Sequence, residues 1–287
     1  MADTNSLAPD SGRKLFFGLF LFPLLIAVGM AAILCTVVLM THENETPENL
    51  VASLKKSPPS KRWQKAFELS NELNRHPKSA ESHAISRELL DILRDGENFD
   101  AKTRGYTALA LSHNKSDETF NALVNALGDP EEEVRVYALW SLGLLGRKEA
   151  AGSVAKQIQE DSPEIRKTAA YVLGVLGSED ALPILKQSLQ DPAVDVRWNA
   201  ALALARLGDE EGHAILMSML ERERLSNVMK MDEAQIENTM VNATRGLALI
   251  PRPESIKILQ LISKEDRNMH VRQASLDSLK QIEKSLS

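Results

Sequence analysis

Cysteine and the common catalytic motifs are scarce or absent in this 287-residue chain. The one cysteine, Cys35, excludes an internal disulfide, and it lies in a long apolar run where it is unsuited to act as a nucleophile. The six histidines are scattered, and none forms the H-x-x-H, H-x-x-x-H or H-E-x-x-H spacing of a helical zinc site. No phosphate-binding glycine loop and no G-x-S-x-G sequence occurs. The sequence therefore predicts no metal, no cofactor and no catalytic residue.

An excess of positive charge is also missing. The chain carries 34 Lys and Arg against 40 Asp and Glu, a formal net charge of −6. Binding to nucleic acid usually depends on a basic face, so this balance argues against a nucleic-acid partner. Aromatic residues make up only 5% of the chain and include three tryptophans, so the positions of these residues are informative.

Residues 15–40 carry no charged side chain. A helix of these 26 residues would be about 39 Å long, enough to cross a hydrocarbon core of about 30 Å with some tilt. A cleaved signal peptide is the main alternative, but the run is longer than an h-region and no small-x-small cleavage site follows it. We therefore expect an uncleaved transmembrane helix at 15–40, preceded by a disordered tail at 1–14.

The charges that flank this run predict its orientation. Arg13 and Lys14 lie directly before it, whereas three glutamates and no lysine or arginine occur between 41 and 54. Basic residues tend to stay on the cytoplasmic side of a membrane. The sequence therefore predicts a single-pass membrane protein with a cytoplasmic N-terminus, whose larger part is extracytoplasmic, and periplasmic in a bacterium.

Residues 129–208 contain one pattern three times. The copies are DPEEEVRVYALWSLGLLG (129–146), DSPEIRKTAAYVLGVLG (161–177) and DPAVDVRWNAALALARLG (191–208). Matching residues recur every 31 positions, namely Arg135, Arg166 and Arg197, and Gly146, Gly177 and Gly208. A fixed period of this length is typical of a solenoid.

Each copy has the pattern of a helix, and a second helical pattern follows it, as at 149–160 and 179–190. A short polar residue followed by proline begins each copy, which predicts an N-cap and a proline at the first helical position. These pairs are Asp129-Pro130, Ser162-Pro163 and Asp191-Pro192. Apolar residues then recur every three or four positions, which predicts one buried stripe per helix. The final glycine predicts the helix end.

This D-P-x-x-x-V-R…A-L-x-x-L-G pattern resembles the short HEAT repeat of the type found in phycobilin lyases. The resemblance covers roughly residues 47–284 with about seven repeats. It implies an all-α fold, an α-solenoid of about seven helical hairpins at 62–287, after a juxtamembrane linker and first short helix at 41–61. Deoxyhypusine hydroxylase, an enzyme on similar repeats, holds iron with several His-Glu pairs. Here the only such pair, His42-Glu43, precedes the repeats.

The repeat spacing breaks once. From Arg197 to the matching Met240 there are 43 residues, about 12 more than one repeat, and the surplus lies at about 221–237. Insertions in repeat arrays usually form a loop on one face. Five of the nine methionines lie in or near this insertion. They predict either an adaptable binding surface or core packing around a longer loop.

The repeated aspartates and arginines are interpreted as a structural ladder. In the short HEAT repeats that this chain resembles, aspartate caps the helix and arginine ties neighbouring turns together. A planar guanidinium fork suits pairing with a carboxylate of a stacked repeat. The predicted ladder comprises Asp129, Arg135, Asp161, Arg166, Asp191 and Arg197.

One helical face departs from the pattern of the short HEAT repeat. The positions one, five and nine residues after each ladder arginine share a face. In HEAT arrays this face lines the concave side and is commonly charged or polar. Here the middle repeats carry aromatic and aliphatic residues, and the predicted partner-binding residues are Val136, Trp140, Leu144, Tyr171, Val175, Trp198 and Leu202. Such a groove is typical of a site for an amphipathic helix or extended segment of a partner protein, unless curvature of the solenoid buries it.

These features together predict a membrane-anchored HEAT-repeat scaffold or adaptor, which binds a partner protein through the concave face and is not an enzyme. The alternative is an accessory subunit of an enzyme or of a cofactor-attachment, lyase-like system, in which the solenoid holds a substrate for modification. Binding to a lipid surface is a third possibility, and the acidic charge balance argues against it.

Overall fold

The computed structural model describes residues 17–41 and 46–286, in two units that are treated separately, Met1–Thr46 and Pro47–Ser287. Within the described ranges every regular element is a helix. The tail expected at 1–14 lies outside the described residues, as do the first two residues of the expected transmembrane segment.

The described part of the first unit is one apolar helix. Helix α1 spans Phe22–Thr41 and follows a π-helical turn at Phe17–Leu21. Pro23 lies in the first turn of α1, where a missing backbone N–H is tolerated. Residues Leu19–Val37 have a mean hydropathy of 2.5, and none of this stretch is buried. By length and composition alone, this helix could cross a membrane.

The second unit contains seven helical hairpins. In chain order its helices are α2 Pro47–Lys56, α3 Pro59–Arg75, α4 His83–Arg94, α5 Ala101–Leu111, α6 Asp117–Ala126, α7 Glu132–Leu145, α8 Ala151–Lys156, α9 Pro163–Leu176, α10 Leu182–Ser188, α11 Val194–Arg206, α12 His213–Ser218, α13 Glu233–Leu249, α14 Pro253–Glu265 and α15 Met269–Leu286. Each even-numbered helix packs against the odd-numbered helix that follows it. The predicted α-solenoid of about seven hairpins is confirmed.

The odd-numbered helices form a continuous layer, because each contacts the next odd-numbered helix. The core lies between this layer and the even-numbered helices. It includes the apolar stripes predicted for the central repeats, and all eight of their side chains are buried, namely Val134, Ala138, Leu142, Leu145, Ile165, Ala169, Leu173 and Leu176. Each hairpin thus buries its apolar side only against its neighbours, which explains why the repeats fold as an array.

Gly146 and Gly177 end their helices as predicted, whereas α11 is capped by Leu207 and Gly208 follows that cap. Gly146, Gly177 and Gly208 have φ angles of 71°, 67° and 75°. This left-handed region strains any residue with a Cβ atom, so glycine is the residue that ends these helices at least cost.

The helix starts agree with the prediction in one copy only, where Pro163 opens α9 after Ser162, and there the serine hydroxyl donates to Glu132 at 2.8 Å instead of capping the helix. Helices α7 and α11 begin two residues after Pro130 and Pro192, not at the prolines. A carboxylate oxygen of Asp129 accepts a hydrogen bond from the backbone N–H of Glu131 at 3.0 Å, and Asp191 accepts one in the same way from Ala193 at 2.8 Å. The aspartate therefore closes a turn before the helix instead of capping the helix itself.

Helix α2 is part of the first hairpin. It was expected as a short helix in the stretch 41–61 that joins the anchor to the solenoid. Leu50, Val51 and Leu54 are buried, and α2 packs against α3 and α4. Because these apolar side chains contribute to the core, the compact second unit begins at Pro47.

The insertion at 221–237 packs onto the repeats. It contains a π-helical turn at Arg224–Val228, and Asp232 forms a capping box with Gln235 at the start of α13. Leu225, Met219 and Met240 are buried, and three further methionines are partly buried against the core, namely Met217, Met229 and Met231. These contacts favour core packing over an exposed methionine-rich surface.

Candidate functional site

The predicted partner-binding residues lie on adjacent odd-numbered helices and are partly exposed. Trp140 and Leu144 of α7 and Val175 of α9 are exposed by 37%, 64% and 43%. Three further members are half-buried, namely Val136, Tyr171 and Leu202. We call these six residues the apolar face. These six side chains are apolar or aromatic, yet they are not buried in the core. The apolar face therefore differs from an ordinary solvated helix face, which carries polar side chains.

Aromatic contacts join the helices of the apolar face. The rings of Trp140 and Tyr171 have centroids 4.9 Å apart and are tilted by 50°. The guanidinium carbon of Arg206, on α11, lies 4.9 Å from the centroid of the same tyrosine ring. Offset aromatic pairs and cation–π contacts are favourable at these distances, so the side chains hold one another in place.

Trp198 occupies a different position from the other predicted residues. Its side chain is only 9% exposed and belongs to the main core. A ring with so little exposed area has little surface for contact with a partner. We therefore assign Trp198 to the core and not to the partner-binding residues.

A second aromatic cluster precedes the apolar face, and sequence reasoning missed it. The ring of Tyr106 has its centroid 5.2 Å from that of Phe67 and 5.1 Å from that of Tyr137. Lys102 places its ammonium group 3.6 Å from the ring centroid of Trp63. Trp63 and Phe67 lie one and five residues after Arg62, the positions that define the apolar face in the central repeats. The stretch RWQKAFELSNEL (62–73) resembles a degenerate first copy of the repeat, but the face positions were counted only from the ladder arginines of the better-matched repeats.

Tyr137 packs directly over Gly105. A Cβ atom added to Gly105 would lie 2.2 Å from a ring carbon of Tyr137. Burial, with a further contribution from a hydrogen bond to Tyr106, raises the pKa of Tyr137. The phenol is therefore neutral at physiological pH and serves as a packing group.

A polar cavity adjoins the other end of the apolar face. It measures about 180 Å³ and lies between α9, α11 and α13. Its lining includes Tyr171, Asn199, Arg206, Asn242, Arg245 and Leu249. Sequence reasoning did not extend the face to α13, because Met240 replaces the arginine from which the positions are counted.

Two ion pairs connect successive repeats, one made by the ladder residue Arg166 and one by Arg104, which lies 31 residues before Arg135 and extends the ladder by one repeat. Arg166 donates through Nε and Nη2 to the two carboxylate oxygens of Asp191, at 2.7 and 3.0 Å. Arg104 also forms a bidentate pair, donating through Nη1 and Nη2 to the two carboxylate oxygens of Asp129. The hydrogen bond from Arg166 lowers the pKa of Asp191, and the same bond raises the pKa of Arg166. Both pairs join residues 25 positions apart, so they tie one hairpin to the next.

Arg135 and Arg197 act within their own repeats. Their Nη1 atoms donate to the backbone carbonyls of Asp129 and Asp191, each at 2.7 Å. Arg166 makes the equivalent bond to the carbonyl of Asp161, also at 2.7 Å. These contacts support the structural interpretation of the ladder.

The described residues include no group of three or more His, Cys, Asp or Glu side chains that could hold a metal ion. His113, at the end of α5, and His213 are partly or fully buried, and burial lowers the pKa of both. Both imidazoles are therefore neutral at physiological pH.

A scan against protein families matches the HEAT repeats over residues 86–161 and 153–234, which together cover more than half of the chain. The chain therefore belongs to the HEAT-repeat family. No curated protein matches it.

Solved structures show the same fold. A chain of the complex of CpcE and CpcF of phycocyanin lyase from Nostoc sp. PCC7120 aligns with 83% of this chain and 94% of its own length, at a TM-score of 0.53 and 19% identity. An engineered protein aligns with 83% of this chain and 96% of its own length, at a TM-score of 0.43 and 16% identity. Human deoxyhypusine hydroxylase aligns with 86% of this chain and 99% of its own length, at a TM-score of 0.36 and 16% identity. At these identities and scores, only the first likeness carries weight, and it shows the fold alone.

Proposed function

We propose that this chain is a membrane-anchored HEAT-repeat adaptor, which binds a partner protein through its odd-numbered helices and catalyses no reaction itself. The observation that carries the proposal is the apolar face, with Trp140, Leu144 and Val175 exposed side by side on α7 and α9. Contiguous exposed apolar residues, and tryptophan and tyrosine in particular, are typical of protein interfaces.

The spacing of the apolar face suits a helical partner. Packed helices in a layer stand about 8–10 Å apart. Residues seven positions apart on one face of a partner helix are separated by about 10.5 Å along its axis. A partner helix that runs across α7, α9 and α11 would therefore place one anchoring side chain over each of them.

Helix α1 would fix this surface near a bilayer. Its apolar stretch is long enough to span the membrane, and Arg13 and Lys14 precede it while glutamates follow it. This charge distribution supports a cytoplasmic N-terminus and an extracytoplasmic solenoid.

Protease accessibility tests the membrane part of the proposal. In sealed cells or right-side-out vesicles, an added protease should cut the solenoid while the membrane is intact. A chain that lacks residues 1–46 should leave the membrane fraction. Protection of the solenoid until the membrane is breached would refute the orientation, and a full-length chain recovered as a soluble protein would refute the anchor.

Site-specific photo-crosslinking tests the binding part. A photoreactive residue is placed at Leu144 on the apolar face and, as a control, at the exposed Gln187 of α10 in the other layer. We expect a discrete protein adduct from position 144 that position 187 does not give. Equal adducts from both positions would refute the apolar face as the binding site. An adducted protein whose covalent modification depends on this chain would instead favour an accessory role in an enzyme system.

A further inference from the structure

We propose that the cavity between α9, α11 and α13 binds a carboxylate, so that the adaptor selects partner segments that carry an acidic side chain beside their apolar anchors. This inference rests on the proposed function and specifies the chemistry of the partner. It concerns the polar cavity of about 180 Å³ that adjoins the apolar face.

The cavity combines hydrogen-bond donors with an apolar wall. Arg206 and Arg245 supply guanidinium groups from two neighbouring helices, and Asn242 supplies a side-chain amide. The amide nitrogen of Asn199 already donates to the backbone carbonyl of Asp195 at 2.8 Å, which leaves its second N–H. Tyr171 and Leu249 supply the apolar part of the lining, and Leu249 is an exposed leucine. A ligand that fills this site would present an anionic group next to apolar atoms.

The two arginines lack acidic partners. Among the described residues, neither Arg206 nor Arg245 makes an ion pair or a hydrogen bond through its guanidinium group. The ladder arginines Arg104 and Arg166 differ, because each is paired with a carboxylate. Arg206 is also held against the ring of Tyr171, which limits the freedom of its guanidinium plane.

The acidic residues that flank Arg206 in the sequence are paired elsewhere or lie far along the helix. Asp209, three residues after Arg206, forms an ion pair with Lys186 at 2.7 Å. Asp195 lies eleven residues before Arg206 on α11, about 16 Å along the helix, although its backbone carbonyl accepts a hydrogen bond from the side chain of the cavity-lining Asn199 at 2.8 Å. The positive charge of the cavity therefore stays without an intramolecular partner, in a chain whose net charge is −6.

A carboxylate on a protein segment matches this arrangement better than a lipid headgroup or free phosphate. Two guanidinium forks can hold one carboxylate through paired hydrogen bonds. A free anion would leave the adjoining apolar face unused, whereas a peptide with apolar and acidic residues would cover both. An anionic membrane surface is recognised by clusters of basic residues, and the acidic balance of this chain does not supply them.

The geometry also predicts the spacing in the partner. Val175 lies on α9, and Arg206 lies on α11, the next helix in the odd-numbered layer. For a helical partner that crosses the layer, the acidic residue would follow its apolar anchor by about seven residues, because adjacent helices stand about 10 Å apart. For an extended partner the interval would be about three residues.

Selection from a displayed library of random 16-residue peptides tests this inference. The full-length protein is held in nanodiscs of zwitterionic phosphatidylcholine and compared with the Arg206→Gln/Arg245→Gln variant. The control variant, Arg94→Gln/Arg224→Gln, removes the same charge from exposed sites elsewhere. Wild type and control should select peptides with Asp or Glu at the predicted interval from an apolar residue. The Arg206/Arg245 variant should bind those peptides at least tenfold more weakly.

The outcomes separate this inference from the proposed function. One outcome is that the selected peptides require Trp140 but show no preference for acidic residues and bind the Arg206/Arg245 variant equally well. That result would overturn the carboxylate pocket and would still support the adaptor function. Failure to select any peptide would overturn both. Binding of inorganic phosphate or of phosphatidylglycerol vesicles that depends on the two arginines, without selected acidic peptides, would replace the carboxylate by a phosphate ligand. A charge-reversed Arg206→Glu/Arg245→Glu variant should select Lys or Arg in place of Asp or Glu.

Discussion

Arg222 and Asp266 form a bidentate ion pair across 44 residues, with Nε and Nη2 donating to the two carboxylate oxygens at 3.0 and 2.7 Å. Asp266 also accepts, through its backbone carbonyl, a hydrogen bond from Arg272, as the ladder aspartates do in the central repeats. Its ladder partner should come from the preceding repeat, but Met240 occupies that position. The insertion thus supplies the arginine that the sixth repeat lacks, and this explains why it packs against the solenoid.

Replacing Arg222 by Gln should open the insertion. The side chains of Arg222 and Asp266 are only 16% and 6% exposed, so the variant leaves a largely buried carboxylate without its partner. Loss of one partner from such a pair costs about 3 kcal/mol. We expect the rate of tryptic cleavage after Lys230 in the folded full-length chain to rise at least tenfold, measured by mass spectrometry.

Arg224→Gln is the matched control for that experiment. Arg224 lies in the same segment, but its ion pair with Glu221 spans 3.7 Å between exposed side chains. Exposed pairs contribute little, so cleavage after Lys230 should change less than about twofold. Equal rates in the two variants would mean that the Arg222–Asp266 pair does not hold the insertion in place.

A second prediction concerns Gly105. Replacing it by Ala should lower the free energy of unfolding by about 1–3 kcal/mol, because the new methyl group would overlap the Tyr137 ring. Gly152→Ala is the control, since a Cβ there meets nothing within 4 Å in helix α8. That variant should gain up to about 1 kcal/mol from helix propensity. Urea titrations followed by circular dichroism measure both, and a neutral Gly105→Ala would contradict the packing argument.

The sequence predicted the elements that depend on local or periodic signals. A 31-residue period, a buried stripe in each copy and a glycine at each helix end were enough to place the central hairpins. The Arg166–Asp191 pair agrees with the expected fork between repeats. Because these features recur in each repeat, the interpretation of one copy as a helical hairpin supports the same interpretation of the next copy.

Features outside the period could not be predicted in this way. The Arg222–Asp266 pair joins an insertion to a distant turn, and no spacing in the sequence connects them. Trp140 and Trp198 both lie on the apolar-face register, yet one is exposed and the other is buried. Trp198 stands one residue after its ladder arginine and Trp140 five residues after, and the period alone does not say which of these positions the neighbouring helices cover. Close approach between helices is likewise not readable from the period: a Cβ on Gly174 of α9 would lie 2.7 Å from the Cα of Ala203 on α11.

The two tryptophans give a third prediction. Trp198→Ala should cost about 3–5 kcal/mol of stability, as for other buried aromatic residues. Trp140→Ala should cost only about 1 kcal/mol, which is the value of its aromatic contact with Tyr171. Trp140→Ala should nevertheless abolish the crosslink from position 144. Equal losses of stability from the two variants would show that the apolar face is part of the core.

The pH dependence of stability gives the last prediction, and it centres on His213. The imidazole is buried at the start of α12, and its Nε2 atom has no hydrogen-bond partner among the described residues. Burial, with a smaller effect of the nearby Arg252, lowers its pKa below the ordinary value of 6.5. Between the lowered pKa of the folded chain and the ordinary pKa of the unfolded chain, the unfolded chain binds a proton that the folded chain does not. The free energy of unfolding therefore falls as the pH drops below about 6.5.

We therefore expect urea titrations to show a lower free energy of unfolding at pH 5 than at pH 7, and His213→Gln to reduce that difference. The carboxylates of Asp191 and Glu233 contribute little in this range, because their pKa values are lowered in the folded chain and the unfolded carboxylates are themselves mostly ionised at pH 5. Burial also lowers the pKa of His113, so His113→Gln should remove a further part of the pH dependence. The test depends on the difference in the free energy of unfolding between pH 5 and pH 7. The absolute values do not decide it, because either substitution can lower stability at both pH values. An unchanged slope in His213→Gln would mean that this imidazole takes up its proton equally well in the folded chain.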